Sequence, residues 1–332
     1  WGDITDVEST KLRFYPGDII FGKRRVYQRK LAVADFEGIC SAHAMVLRAK
    51  PDVALPEFLP FFMQSERFME RALAISVGSL SPTINWTDLA REEFALPSIE
   101  EQQEIVSITT ASLNAFESAN KAALVLLELR RSTQNRLLFP SQGMSKRNGV
   151  HLSDIASINP SESAISESDP FIPMEALDEW ERDITRIEKK GTRGGVRARG
   201  GDVLMARITP CLENGKIAQV PKNIEACGGS TEFVVIRANQ TVSASYLYWL
   251  ITSDRIRNAS IAMMYGSTGR QRVSGKDIGD ILIPPLRPEE QQSLGLYIDD
   301  LEDKRKQMAD RAKQAKVFHF RLINKLLGGQ RT

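Results

Sequence analysis

The sequence predicts an α+β fold with two mixed α/β domains and two long helices able to pack against each other. Two segments of about forty residues have helical periodicity, and the order of motifs in the first half of the chain recurs in the second. Of 332 residues, 42% are hydrophobic and 26% charged, which is ordinary for a globular protein. A chain of this length and composition can build two hydrophobic cores.

The first long helix is predicted from Ile99 to Leu138, a stretch without Pro or Gly. Ser98 can cap its N-terminus, and Glu101 lies where the partner of a capping box belongs. Pro97 can close a preceding strand. At 1.5 Å per residue the helix is about 60 Å long, more than one domain needs. Its apolar residues share one helical face: Ile99, Val106, Leu113, Phe116, Leu124, Leu127 and Leu138.

The same junction recurs before a second long helix that is predicted to end at about Leu327. Residues 96–99 followed by Glu-Glu-Gln-Gln at 100–103 correspond to residues 283–286 followed by Glu-Glu-Gln-Gln at 289–292, with Arg287-Pro288 inserted. The apolar stripe has near-heptad spacing: Leu294, Ile298, Leu301, Met308, Ala312, Ala315, Leu322 and Leu326. Two helices with matching apolar stripes can bury the stripes against each other. A simple coiled-coil scaffold is an alternative interpretation of the same pattern.

The repeat extends into the segments that precede the helices. Gly17-Asp18 and Gly201-Asp202 each begin an apolar strand, and residues 41–48 and 230–237 predict a further strand. Residues 58–68 and 246–256 predict a short helix, and Gly78-Ser79 and Gly266-Ser267 each open a polar loop. Residues 1–8 resemble residues 180–188. Residues 151–179 have no counterpart ahead of Trp1, so we expect the matching N-terminal part of the first domain to be absent from this sequence, to be processed away, or to be supplied differently in the fold.

Two globular segments, each followed by a Leu/Ile-Pro junction, Glu-Glu-Gln and a long helix, resemble the specificity subunit of type I restriction-modification enzymes. The resemblance covers essentially the whole chain. It implies two target-recognition domains, each reading one half of a split DNA sequence, separated by two helices that form an antiparallel coiled coil. The implied ranges are 1–98 for an incomplete first domain, 99–140 for the first spacer helix, 141–150 for a linker, 151–285 for the second domain and 286–328 for the second helix.

The resemblance also implies partners and the absence of catalysis. Double-stranded DNA is the expected ligand. Two methyltransferase subunits that bind S-adenosylmethionine are expected to dock on the helices, and restriction subunits are expected to join the complex. No Asn/Asp-Pro-Pro-Tyr/Phe segment and no phosphate-binding Gly-x-x-x-x-Gly-Lys-Ser/Thr loop occurs in the sequence. We therefore expect a non-catalytic subunit without a cofactor, found in the cytoplasm.

Clustered basic residues predict the DNA surface, because phosphates require a local excess of positive charge while the net charge is only +2. The first cluster follows the first Gly-Asp strand, and Lys23 aligns with Arg207 by the repeat. A basic cluster can also be a solvated surface, but two clusters at equivalent places favour DNA binding. The candidates are Lys23, Arg24, Arg25, Tyr27, Gln28, Arg29 and Lys30 in the first copy, and Arg193, Arg197, Arg199, Arg207 and Lys216 in the second.

The two polar loops are candidates for reading bases, because Arg pairs with guanine, and Asn or Gln with adenine. The loops differ while their flanking motifs agree, as two readers of different half-sites would, although unselected drift would look similar. The candidates are Ser79, Ser81 and Asn85 in the first loop, and Arg270, Gln271 and Arg272 in the second.

Other chemistry has weaker support. Glu188-Lys189-Lys190 after Asp178 is reminiscent of a nuclease Asp...Glu-x-Lys motif, but the corresponding Glu8-Ser9-Thr10 lacks the lysine. Cys40 and His43 form an isolated Cys-x-x-His pair that we expect to be buried and structural. Three Cys and three His are too few and too scattered for a standard zinc site. No apolar run is long enough to span a membrane.

Overall fold

The computed structural model describes residues 11–139, 149–162, 169–189, 194–267 and 269–328. The chain forms two compact units. The first unit is Trp1–Ala122 with Gln307–Thr332, and the second is Ala123–Lys306. Each unit therefore contains a globular part and a segment of both long helices. The domain boundaries predicted from the sequence stay a prediction.

The described part of the first unit has five short strands, three short helices and segments of the two long helices. Strand β2 pairs antiparallel with β3 and with β5, where Ile19 lies opposite Leu47. Strand β1 pairs antiparallel with β4. The elements are β1 (Leu12–Phe14), β2 (Ile19–Gly22), β3 (Leu31–Val33), β4 (Gly38–Cys40), β5 (Ala44–Leu47), α1 (Phe58–Gln64), α2 (Glu66–Ala74), α3 (Trp86–Leu89) and the first long helix α4 (Ile99–Leu138).

Aromatic side chains fill the core of the first unit. Ile19 and Phe21 alternate with less buried neighbours on β2, so one face of this sheet is covered. The Phe62 ring packs edge-on against the Phe94 ring at 5.2 Å between centroids. Ile105 of α4 and Ile323 near the C-terminus belong to the same core, which ties both long helices to this globular part.

The second unit has a larger sheet arrangement. Its central sheet has the strand order β12-β11-β14-β7, in which all neighbours are antiparallel and Val203 lies opposite Ile236. A second sheet has the order β10-β13-β8-β9, and β15 pairs with β6. The elements are β6 (Val150–His151), α5 (Leu152–Ile155), β7 (Ala156–Ile158), β8 (Pro170–Ile172), β9 (Glu188–Lys189), β10 (Val196–Ala198), β11 (Val203–Ala206), β12 (Ile217–Gln219), β13 (Cys227–Gly229), β14 (Phe233–Ala238), α6 (Ala244–Ile251), α7 (Asp254–Ala262), α8 (Gly275–Gly279), β15 (Leu282–Ile283) and the second long helix α9 (Pro288–Leu327).

The central sheet of the second unit is buried on both faces. Val203 and Met205 of β11 contribute to one core, together with Tyr246 and Trp249 of α6. Leu204, which points to the opposite face, belongs to a second core. Burial on both sides explains why β11 is a continuous apolar run, whereas β2 alternates.

The repeat predicted from the sequence is confirmed in the backbone and in its ion pairs. Gly17 and Gly201 have φ angles of 89° and 90°, a left-handed conformation that favours glycine at these turns. The Asp18 carboxylate accepts hydrogen bonds from Arg48 at 2.6 and 2.7 Å, and Asp202 accepts them from Arg237 at 2.8 and 2.7 Å. Each Gly-Asp turn is thus fastened to the neighbouring strand by an arginine fork.

The long helices are also confirmed. Helix α4 has the predicted bounds, and α9 ends at the predicted Leu327. The capping box forms, because the Ser98 backbone N–H donates to Glu101 at 2.8 Å while the Glu101 N–H donates to the Ser98 hydroxyl at 3.2 Å.

Two local predictions were wrong. Each segment predicted as one short helix, 58–68 and 246–256, contributes to two helices. Ser65 and Ser253 leave the helical conformation there, and their side chains cap α2 and α7. No strand forms at residues 92–98, ahead of the first junction.

In the first unit the two long-helix segments run antiparallel, and in the second they are in contact. In the first unit, the Ser112 hydroxyl lies 2.6 Å from the His319 Nδ1, and Phe116 lies near Lys316 one turn on. In the second unit, the Arg130 guanidinium lies 3.0 Å from the Glu302 carboxylate. The α+β class with an antiparallel helix pair is confirmed.

His319 predicts a pH dependence of the first unit. Its imidazole is buried against Phe61, Phe320 and Ser112, and burial lowers its pKa from 6.5, opposed by the nearby Glu117 carboxylate. The unfolded imidazole therefore binds a proton more readily, so stability present at pH 7.5 should be lost as the pH falls below about 6.5. Urea unfolding midpoints at pH 7.5 and 5.5 measure this loss. His319→Leu should remove most of the difference; an equal pH dependence in the variant would contradict the assignment.

Candidate nucleic-acid interface

The structure brings the two candidate stretches of the first unit together. The segment after β2 pairs with the first polar loop: the Arg25 N–H donates to the Pro82 carbonyl at 2.7 Å, and the Ile84 N–H donates to the Lys23 carbonyl at 3.0 Å. Arg24 and Thr83 form a β-bridge. Basic residues and loop residues that are distant in sequence thus share one surface.

The second unit repeats these bonds with different side chains. The Thr209 N–H donates to the Gln271 carbonyl at 3.1 Å, and the Val273 N–H donates to the Arg207 carbonyl at 3.0 Å. Ile208 and Arg272 form the matching β-bridge. Lys23 and Arg207 therefore occupy equivalent positions, as their alignment in the sequence predicts.

Each polar loop is closed by a matching pair of backbone hydrogen bonds. In the first unit, the backbone N–H groups of Val77 and Thr83 each donate to the other's carbonyl, at 3.0 and 2.9 Å. In the second unit, Tyr265 and Arg272 do the same at 3.0 and 2.9 Å. Gly78 and Gly266 both have positive φ angles, 112° and 131°, which only glycine adopts easily. The framework is therefore common to the two loops, and their tips differ.

Backbone strain marks the first basic segment. Arg25 and Arg29 have φ angles of 57° and 51° and flank a short 3-10 helix at Val26–Gln28. Left-handed conformations of residues other than glycine are costly and cluster at functional sites. Between these two arginines, Tyr27 is 54% exposed and Gln28 is exposed as well.

The candidate side chains differ in how far they are already engaged. Arg29 is paired with Glu66 at 2.6 Å, and Arg272 with Glu232 at 2.6 Å. The Arg25 Nε lies 3.4 Å from the Ser81 hydroxyl. The exposed candidates are Arg24, Arg25, Tyr27, Gln28, Lys30, Ser79 and Asn85 in the first unit, and Arg197, Arg199 and Arg270 in the second.

Some candidates of the second unit lie away from the paired loops. Arg197 is on β10 and donates to the Glu162 carbonyl at 3.0 Å. Lys216 is half-buried, and its ammonium group lies 3.4 Å from the Met174 carbonyl. Arg199 follows β10, next to the Gly201 turn. Arg193 lies outside the described residues.

Glu232 is a residue at this surface that sequence reasoning missed. Its carbonyl accepts a hydrogen bond from the Arg207 N–H at 2.9 Å, just as the His43 carbonyl accepts one from Lys23 at 3.0 Å. The hydrogen bond from Arg272 lowers the pKa of the Glu232 carboxyl, and Arg207 and Arg270 act in the same direction against the effect of burial. The repeat alignment, which sets Glu232 opposite His43, was the signal that could have found it.

His43 is exposed and Cys40 only half-buried, so the expectation that both are buried was wrong. The first loop is also less polar than expected, because Leu80 at its tip is 92% exposed.

The described residues include no cluster of three or more His, Cys, Asp or Glu placed to hold a metal ion. Across those same residues, no helix has the length and apolar character needed to cross a membrane.

Comparison with known proteins shows what the chain is similar to. Residues 6–126 match the family model described as the type I restriction modification DNA specificity domain. The specificity subunit of the type I restriction enzyme EcoDI from Escherichia coli is 36% identical over 100 residues, which are 30% of this chain and 22% of that protein. The chain thus spans less than a quarter of that relative's length. These findings show that residues 6–126 match the DNA specificity domain of this family and that part of the chain is similar to a type I specificity subunit.

Solved structures share the fold. One, from a study of complex assembly and conformational transition of a type I restriction-modification system, has a TM-score of 0.57 at 20% identity, covering 97% of this chain and 85% of its own. The type I restriction-modification S subunit from M. genitalium has a TM-score of 0.56 at 16% identity, covering 94% of this chain and 83% of its own. The similarity extends over both units.

Proposed function

We propose that this chain is the non-catalytic DNA-reading subunit of a type I restriction-modification complex, with each unit reading one half of a bipartite target. The main support is the pair of matching loop frameworks. In both units the same cross-loop hydrogen bonds join a basic residue, Lys23 or Arg207, to a loop of different composition. Equivalent phosphate contacts with different base contacts are what two readers of unlike half-sites need.

The long helices complete the proposal. Duplex DNA presents the same face about every 34–36 Å, so a rigid spacer determines which two half-sites can be read together. We assign this spacer role to α4 and α9, and docking of two S-adenosylmethionine-binding methyltransferase subunits to their outer faces. Both helices expose large apolar side chains, among them Leu124, Val125 and Phe318. Restriction subunits would join this assembly. We place the complex in the cytoplasm.

The proposal is tested by footprinting the chain together with its methyltransferase subunits. We expect two protected patches on one face of the duplex with an unprotected gap. A coiled-coil scaffold, which the comparisons do not favour, would show no salt-dependent affinity for DNA. One continuous protected patch, or none, would contradict bipartite reading.

Lys23→Ala and Arg207→Ala test the phosphate contacts. Each variant should weaken binding to all sequences and reduce the slope of log K against log salt by about one unit, because one cation fewer displaces counterions. Binding titrations between 50 and 200 mM salt measure the slope. Lys121→Ala, which removes an exposed lysine of α4 outside both loops, serves as the matched control. If Lys23→Ala or Arg207→Ala left the slope unchanged from the wild type, the substituted residue would not belong to the DNA-binding surface.

A further inference from the structure

We propose that Arg272 reads a guanine in the half-site of the second unit, and that Glu232 is the positioning residue that aims it. This inference rests on the proposed function, since it assigns a base and an orienting partner to the loop of that unit.

The carboxylate of Glu232 holds one edge of the guanidinium. Arg272 Nε lies 2.9 and 3.1 Å from the two carboxylate oxygens, and Nη2 lies 2.6 Å from Oε1. This two-point contact fixes the plane of the guanidinium as well as its position, because both groups are planar. The Arg272 side chain remains 38% exposed, so it is oriented without being buried.

The opposite edge of the guanidinium is available for a ligand. A guanidinium has five N–H donors, and the Glu232 contact uses those on Nε and one side of Nη2. Within the described ranges, Nη1 has no hydrogen-bond acceptor. The outer edge formed by Nη1 and Nη2 presents two parallel donors, which match the O6 and N7 acceptors of guanine in the major groove.

Both residues are fixed to the framework at their backbones. Arg272 exchanges two hydrogen bonds with Tyr265 and forms a bridge with Ile208, and the Glu232 carbonyl accepts from Arg207. An arginine held in this way loses less conformational freedom on binding than a free one. The arrangement therefore favours recognition of one base over a general attraction to phosphate.

The first unit lacks this pair at the same place. Thr83 occupies the position of Arg272, and His43 that of Glu232, within the same backbone hydrogen bonds. A threonine has no fork of donors, so the first unit should not read guanine from this position. The contrast provides an internal control, because only one half-site should depend on the pair.

Selection from a pool of duplex DNA with randomised positions tests the inference, using this chain assembled with its methyltransferase subunits. The wild type should select guanine at one position that Arg272→Ala no longer selects, with a loss of preference of about tenfold to a hundredfold. The other half-site should be unchanged. Glu232→Gln should lose part of the same preference with an unchanged unfolding midpoint. Arg272→Lys should restore the preference only in part, because an ammonium group can donate to O6 and N7 but lacks the planar fork that Glu232 aligns.

Modified bases identify the contacted edge. Replacing the selected guanine by 7-deazaguanine removes N7 and should weaken wild-type binding but not that of Arg272→Ala. Inosine keeps O6 and N7 and should bind like guanine. Equal losses with inosine and 7-deazaguanine, or an unchanged selection by Arg272→Ala, would overturn the inference. A wild type without two selected half-sites would instead overturn the proposed function.

Discussion

Replacing Glu302 by Ala is expected to lower the free energy of unfolding of the second unit by about 3–5 kcal/mol. The Glu302 side chain is 7% exposed and that of Arg130 is 8% exposed, with 3.0 Å between the two charged groups. Arg305 binds the same carboxylate at 2.6 Å. Removal of the carboxylate would leave two largely buried guanidinium groups without their shared partner. An uncompensated buried charge destabilises the folded state strongly.

The other contacts of Arg130 do not replace the Glu302 carboxylate as a partner for its charge. Burial lowers the pKa of Arg130, opposed chiefly by the attraction of Glu302, so the environment of this guanidinium is unfavourable to its charge. Its remaining contacts are the Trp249 ring at 5.0 Å and the Gln134 amide oxygen at 2.9 Å. Arg305 is better placed, because it also binds Glu181 at 3.0 Å. The cost should therefore arise mainly at Arg130.

Urea unfolding of the full chain, followed by Trp fluorescence, measures the effect. Asp300→Ala is the matched control, since Asp300 lies on the same helix and its pair with Lys304 is exposed on both sides. Exposed pairs of this spacing contribute about 0.3–0.5 kcal/mol. If Glu302→Ala lost no more stability than this control, the buried pair would have no structural role.

The elements with strong local signals could be predicted from the sequence. The bounds of α4 follow from an uninterrupted periodic stretch and a capping box, both of which depend on residues within a few positions of each other. The repeat predicted two units with equivalent strands and loops, because each motif had a partner in the other half. That alignment also predicted the equivalence of Lys23 and Arg207.

Contacts between distant residues could not be predicted in this way. Arg130 and Glu302 read as solvated polar positions on amphipathic helices, and only the packing of the helix segments buries them. Gly295 lies inside the continuous helix α9 for a reason that its sequence neighbours do not show: a Cβ there would lie 2.8 Å from the backbone nitrogen of Tyr246. The role of Glu232 is likewise not visible in its local sequence, because its partner Arg272 is distant along the chain and only the fold brings the two together.

The Gly-Asp turns offer a second large effect, because the same motif occurs in two environments. Asp202→Ala is expected to cost the second unit about 3 kcal/mol. The Asp202 carboxylate accepts bonds from the Arg199 N–H at 2.9 Å and from Arg237, whose side chain is only 14% exposed. Arg237 would keep its contact with Glu162 at 2.7 Å, which holds the loss below that of Glu302→Ala.

Asp18→Ala removes the equivalent carboxylate from the first unit and should cost less. Its partner Arg48 has a side chain that is 68% exposed, so water can solvate the guanidinium when the carboxylate is lost. Hydrogen exchange of the β2 and β11 amides in the two variants reports each unit separately. We expect faster exchange in β11 of Asp202→Ala than in β2 of Asp18→Ala, each relative to the wild type. Equal acceleration would mean that the turn geometry, and not burial of the arginine, determines the cost.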